Sequence, residues 1–429
     1  MNLTRYRPFL MGLGCTLILN SLDSAEASFI QTNSFFDDVD STPSLTTKSA
    51  ILVRDQIMAE IQNNPYGQES ETLHRLMAAY PAEVAFDLVF SPAYKVTSPT
   101  AEIYVMQHMA AIEMRDIWKF SESVLIRDFL ESMTAQCTLL KDLNLLRNDL
   151  GQKMACLLPL TRLTSLSLSL NRISDQVSVL AELTNLQRLD LRDNRIGAHV
   201  IHLSGLSNLT ALNLGGNLLG EHVTALRGMT NLTELDVSGN EIGESITALQ
   251  GLTNLAVLGC SSNPIEHHVS TLRSLTNLTS FDITFCNIGA HVSALSDLTQ
   301  LRDLRIGMNL LAHHASWIAQ MQGLTFLDIS NNDITQNDLI ELQHLPKLRK
   351  IDITLSNLSE GFAQLKGFTA LTHIRLNSAC FSSISLIRDF IPHLHNLRRI
   401  KIDDGDASRL SNDDLEFLEQ RGIKLEKGF

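Results

Sequence analysis

An asparagine returns every 23 residues along this chain, and that period limits what the chain can fold into. Asn148, Asn171, Asn194, Asn217, Asn240 and Asn263 are equally spaced, Cys286 takes the next turn, and Asn309 and Asn332 resume the series. Self-similarity at a fixed period of this length is the signature of one supersecondary unit stacked on copies of itself. In residues 229–245, MTNLTELDVSGNEIGES, the apolar Leu235 and Val237 are two apart and share one face of a short strand, while Asp236 points to the other. Ile242, Ile246, Leu249 and Leu252 keep the returning segment on the same core. The asparagine side chain carries donors and an acceptor, so at a fixed period it can satisfy backbone groups that stacked turns would bury unpaired.

The repeated core L-T-N-L-T-x-L-D-L-S-x-N-x-I-G-x-H-V runs through nine successive coils from Cys137 to Ser356. It resembles the leucine-rich repeat family, and the L-T-N-L-T run is similar to the repeats of bacterial internalin-type proteins, which usually run one residue shorter. The resemblance implies an α/β leucine-rich repeat solenoid with a parallel sheet on its concave side. It also implies a binding scaffold rather than an enzyme, with a host protein as the partner.

Ahead of the repeats, residues 1–27 read as a secretory signal. Arg5 and Arg7 give a basic start, Pro8 to Leu19 are mostly apolar, and Ala25-Glu26-Ala27 fits a small-x-small cleavage site. The apolar run is too short to span a bilayer. Residues 28–47 read as a linker, and 48–136 as a helical region whose last helices cap the stack. Residues 357–429 read as degenerate repeats and a C-terminal cap, with a strand at Ile400–Ile402, a helix at Asp413–Gln420 and a last strand at Gly422–Leu425. The stretch after Ile402 is too short for an appended catalytic domain.

The formal net charge of −13 argues against nucleic acid as a partner. The cysteines past residue 27 (Cys137, Cys156, Cys260, Cys286 and Cys380) sit at core-like positions and make no disulfide framework. Exported animal leucine-rich proteins flank the stack with cysteine-rich caps. Their absence points to a bacterial exported protein, periplasmic or secreted. No phosphate-binding glycine loop, H-E-x-x-H or G-x-S-x-G is present, so no catalytic residue, metal site or cofactor is expected.

The outward strand positions are the candidate partner-binding residues: Arg188, Asp190, Arg192, Asn213, Asp236, Asp282, Arg305, Phe326 and Asp328. They read as a mildly acidic face for a basic protein segment, with Arg188, Arg192, Arg305 and Phe326 as anchors. A plain solvated surface is the simpler account of its aspartates. An in-phase histidine column (His199, His222, His268, His291 and His314) is accounted for by repeat duplication, with zinc binding or pH sensing as alternatives. The functional expectation is an exported bacterial protein that binds a protein through its sheet. A cytosolic adaptor joining two proteins through the helical region and the repeats is the second reading.

Overall fold

The computed structural model describes residues 111–113, 140–311, 314–354, 361–376, 388, 390–402 and 410–427. The signal, the linker and the helical region expected over 48–136 lie outside these residues, except for the strand β1 (Ala111–Glu113). Two compact units divide the chain, one ending at Asn217 and one beginning at Leu218.

In the first unit β1 pairs in parallel with β2 (Asp142–Asn144), followed by β3 (Ser165–Ser167), β4 (Arg188–Asp190) and β5 (Ala211–Asn213). In the second, each strand again pairs in parallel with the next. They run β6 (Glu234–Asp236), β7 (Val257–Gly259), β8 (Ser280–Asp282), β9 (Asp303–Arg305), β10 (Phe326–Asp328), β11 (Lys350–Asp352), β12 (His373–Arg375), β13 (Arg399–Ile402) and β14 (Lys424–Lys427). The register advances by one repeat with no slip: Leu143, Leu166, Leu189 and Leu212 align in one unit, and Leu235, Leu258, Phe281, Leu304 and Leu327 in the other. All of these are buried. This is a leucine-rich repeat solenoid, the architecture that the asparagine period requires.

The return segments are short 3-10 helices such as Gly197–Leu203, Gly220–Leu226 and Gly289–Leu295. Their sequence marks the face they bury. Val200, Leu203, Leu206 and Leu209 recur at intervals of three, as do Val223, Leu226, Met229 and Leu232, and all are buried. Three residues per turn keeps such positions on one face. Gly197 and Gly220 open their helices at φ +51° and +49°, a conformation that a side chain disfavours, although Ser174 (+50°) and Glu266 (+48°) hold it at the same place. The same interval of three also occurs on an α-helix. Leu339 and Leu342 lie on α1 (Gln336–Leu342), an α-helix started by a capping box between Thr335 and Asp338.

The asparagines form the predicted ladder within each unit, all essentially inaccessible to solvent. Asn194 shows the full pattern. Its carbonyl oxygen accepts from the Asn171 and Ile173 N–H groups of the previous coil at 2.9 and 3.4 Å. Its amide donates to Leu168 at 2.9 Å, Leu191 at 2.8 Å and Arg192 at 3.1 Å. A second, exposed ladder follows from L-T-N-L-T, a motif whose physical role the sequence alone did not disclose. Asn208 donates to the Thr184 carbonyl, Asn254 to Thr230 and Asn277 to Thr253, each at 2.9 Å. The threonine closing the motif adds a hydroxyl bond to the preceding coil, as Thr325 does to Arg302 at 2.9 Å.

Past Asn332 the strands keep their pairing although the asparagine period lapses. The last helix is α2 (Asn412–Gln420), and the final strand β14 begins at Lys424, two residues later than the Gly422 start expected from sequence, because Arg421 and Gly422 form the turn that leaves α2. A capping box of Ser411 and Asp414 starts α2, and Asp414 also pairs with Arg388 at 3.2 Å. Ser411→Ala is expected to lower stability by about 1 kcal/mol, read as a shifted urea midpoint. No helix among the described residues is long and apolar enough to cross a membrane.

Candidate functional site

The outward strand face carries the expected column, and its chemistry has a local cause. In most coils the outward Asp or Asn accepts a hydrogen bond from the backbone N–H two residues on. Asn213 binds Gly215 N–H at 3.0 Å, Asp236 binds Ser238 at 2.8 Å, Asp282 binds Thr284 at 3.0 Å and Asp328 binds Ser330 at 2.9 Å. Asp190 does the same to Arg192 at 3.2 Å. The aspartate column is therefore a row of Asx turns that bends the chain out of each strand. Asn213 and Asp236 are buried, so neither offers much to a partner. In the first unit Arg188 and Arg192 are exposed, and Arg192 turns to Asp193 at 3.2 Å.

In the second unit a charged and aromatic cluster forms around Arg305 and Phe326, both half-buried. Register sets Phe326 beside Asp303 and Asp328 beside Arg305 on the adjacent strands β9 and β10. Arg305 pairs with Asp303 at 3.3 Å, and its guanidinium carbon lies 5.2 Å from the Phe326 ring centre, a cation–π distance. Both carboxyls on this stretch feel their surroundings. Burial pushes Asp303 above the usual carboxylate range against the opposing pull of Arg305, and burial pushes Asp282 up against the Thr284 hydrogen bonds.

Past Asp352 and Lys350, which the sequence places in these columns, the following strands add residues that it left out. Strand register carries the outward column from Asp328 to Asp352, Arg375 and Lys401, with Lys350, His373 and Arg399 in the row beside it. Arg375 and Asp352 form a buried pair at 3.0 Å. Arg399 approaches Glu426 at 3.4 Å. The expected mildly acidic face is thus mixed in charge toward its C-terminal end. The lost asparagine period hid these residues, but the apolar-x-apolar alternation of β11 to β13 (Ile351 and Ile353, Ile374 and Leu376, Ile400 and Ile402) carried the signal.

Elsewhere, a cleft of about 550 Å³ opens in the first unit, lined by Arg147, Asp149, Leu170, Arg172, Asp193, Arg195 and Gly216. Arg172 reaches Asp149 at 3.5 Å there. The histidine column falls on the return segments. His267 lies 4.0 Å from His268 and 6.0 Å from His291, centroid to centroid. Among the described residues no cluster of His, Cys, Asp or Glu is arranged to hold a metal ion. Cys156, Cys260 and Cys286 are buried free thiols.

Within each unit, parallel strands stacked with a polar outward face define a protein-binding repeat scaffold. The model of the leucine-rich repeat region matches residues 124–420, and the chain belongs to the leucine-rich repeat family. No curated protein sequence matches it. Among solved structures, an internalin from Listeria monocytogenes superposes with a TM-score of 0.52 at 22% identity, over 70% of this chain and 88% of that one. A leucine-rich repeat protein of Leptospira interrogans gives 0.48 at 17% identity, over 77% and 92%. At these identities the likeness is one of fold. Proteins of this family and fold are typically scaffolds for protein interaction rather than enzymes.

Proposed function

We propose that the chain is an exported bacterial protein that grips a protein of the host through the outward face of strands β8 to β11, with Arg305 and Phe326 as the central anchors. The observation carrying this is the half-buried Arg305–Phe326 stack on the outward strand face. Arginine and aromatic side chains supply most of the energy at protein interfaces, and here the two hold each other in place before contact. Around them Asp303, Asp328 and Lys350 offer both signs of charge, which suits a partner segment of mixed rather than purely basic character. Export rests on residues 1–27, and the host side of the reading on the likeness of the L-T-N-L-T repeats to internalin-type proteins.

Two measurements test this. The mature amino terminus, read by mass spectrometry from the producing cell, is expected at Ser28; retention of Met1 supports the cytosolic adaptor instead. Pull-down from host-cell extract by residues 28–429 is expected to weaken about tenfold when Arg305 and Phe326 are replaced together by alanine. Equal recovery of every partner by both forms removes the role assigned to this face.

A further inference from the structure

The turns that flank the asparagine ladder carry a feature that neither folding nor the sheet-face reading uses. The residue before and the residue after each ladder position sit in tight, exposed turns, several in the left-handed region. In the coils that end at Asn240 and Asn332 these positions hold Gly239 and Glu241, then Asn331 and Asp333, residues suited to such turns. Leu170 (φ +60°) and Leu218 (φ +58°) depart from it singly, and two adjacent coils break it together. Phe285 (φ +55°), Met308 (φ +56°) and Leu310 (φ +55°) hold the same left-handed backbone with large apolar side chains, and they are 59%, 44% and 64% exposed. The Phe285 N–H bonds the Gly307 carbonyl at 2.9 Å, which sets Phe285 beside Met308 across the coil spacing. Bulky side chains in this conformation are disfavoured, and exposed they recover almost nothing by burial.

Charge around the three is one-sided. Glu241, Glu266 and Asp333 are exposed on neighbouring turns of the same ridge, and no lysine or arginine occupies a position directly flanking the ladder between Leu218 and Asp333. We propose that this turn ridge docks a short protein segment carrying apolar side chains flanked by lysine or arginine. Three side chains on two coils make a spot far smaller than a stable dimer interface, which favours a short segment over a second copy of the chain. The acidic rim selects basic flanks and speeds the encounter. The ridge is separate from the Arg305–Phe326 face, and the two can be occupied independently.

The test uses residues 28–429 and a short fluorescein-labelled leucine–lysine peptide, followed by fluorescence anisotropy. The triple variant F285N/M308N/L310N keeps net charge and is built to fold, because Asn287 (φ +55°) and Asn331 (φ +52°) already hold this backbone in neighbouring turns. Unchanged circular dichroism and thermal midpoint verify that. Wild type is expected to bind the peptide, the triple variant at least tenfold more weakly, and E241Q/E266Q/D333N several-fold more weakly with a flatter salt dependence. The R305A/F326A variant is expected to bind as wild type does, so loss of the sheet-face role leaves this result standing. Equal binding by wild type and the triple variant overturns the proposal. So does self-association in sedimentation velocity, or flotation with neutral phosphatidylcholine vesicles, that the triple variant abolishes, since the ridge then serves a second copy or a lipid surface.

Discussion

Asn194→Ala is expected to lower the stability of the first unit by about 3–5 kcal/mol, more than a typical core truncation. The amide oxygen accepts two N–H groups and its two N–H protons are shared among three carbonyls, in a place closed to water. Alanine leaves the N–H of Asn171 and Ile173 without their acceptor, and no solvent can replace it. Each stranded buried group costs about 1–3 kcal/mol. The loss should be local: hydrogen exchange at Asn171 and Ile173 is expected to speed up while amides beyond Leu218 keep their protection, because repeats couple mainly to neighbours. Unchanged exchange at those two amides would show the ladder to be ornamental.

Position 286 supplies the opposite sign. Cys286 holds the ladder with weak sulfur bonds to the Cys260 and Thr284 carbonyls at 3.2 and 3.5 Å, but it has no amide oxygen to offer the previous coil. In that coil Pro264 replaces the usual turn residue, and Ile265 N–H finds the Asn263 carbonyl at 2.7 Å instead. The Asn240 N–H is met by the Asn263 side-chain oxygen, but the Asn263 N–H finds no such oxygen at Cys286. Cys286→Asn is accordingly expected to stabilise the second unit by about 1 kcal/mol, a single hydrogen bond's worth. The proline and the cysteine are best understood together, each tolerable because of the other.

These two positions also show what a sequence discloses. The Asn ladder was legible because its role depends on one side chain at one period, and nothing but stacking explains such spacing. The interval of three between Val200, Leu203 and Leu206 marked the buried face of the return segments but not their helix type, since Leu339 and Leu342 keep it on an α-helix. The site was harder. Asp236 and Asp282 looked like recognition residues, but the same carboxylate that faces outward also closes an Asx turn, and only geometry separates the two roles. Arg375 was missed because the asparagine period lapses before it, although the strand register does not. Arg305 and Phe326 were chosen for their residue types, and the cation–π contact between them appears only when adjacent strands are set in register.

Arg375→Ala is expected to cost about 3–5 kcal/mol near pH 7.5, the penalty for leaving a buried carboxylate without its cation. Asp352 lies almost wholly out of solvent, 3.0 Å from the Arg375 guanidinium, with Thr354 donating from its N–H at 3.0 Å and its hydroxyl at 2.8 Å. Even so, burial and the nearby Asp328 outweigh these partners and push the Asp352 carboxyl up to about 6. In the unfolded chain the same group titrates near its ordinary value of about 3.9. The folded state therefore holds this proton more tightly than the unfolded state does. Its contribution to stability is full below about pH 4 and is lost as pH rises through about 6, amounting to about 3 kcal/mol across that window. Wild-type urea midpoints should decline over this range, and Asp352→Asn, which cannot titrate, should flatten the decline. The Arg375→Ala penalty should shrink at pH 5, where Asp352 is largely protonated and no orphaned charge remains. A penalty independent of pH would mean that the guanidinium matters for its packing alone.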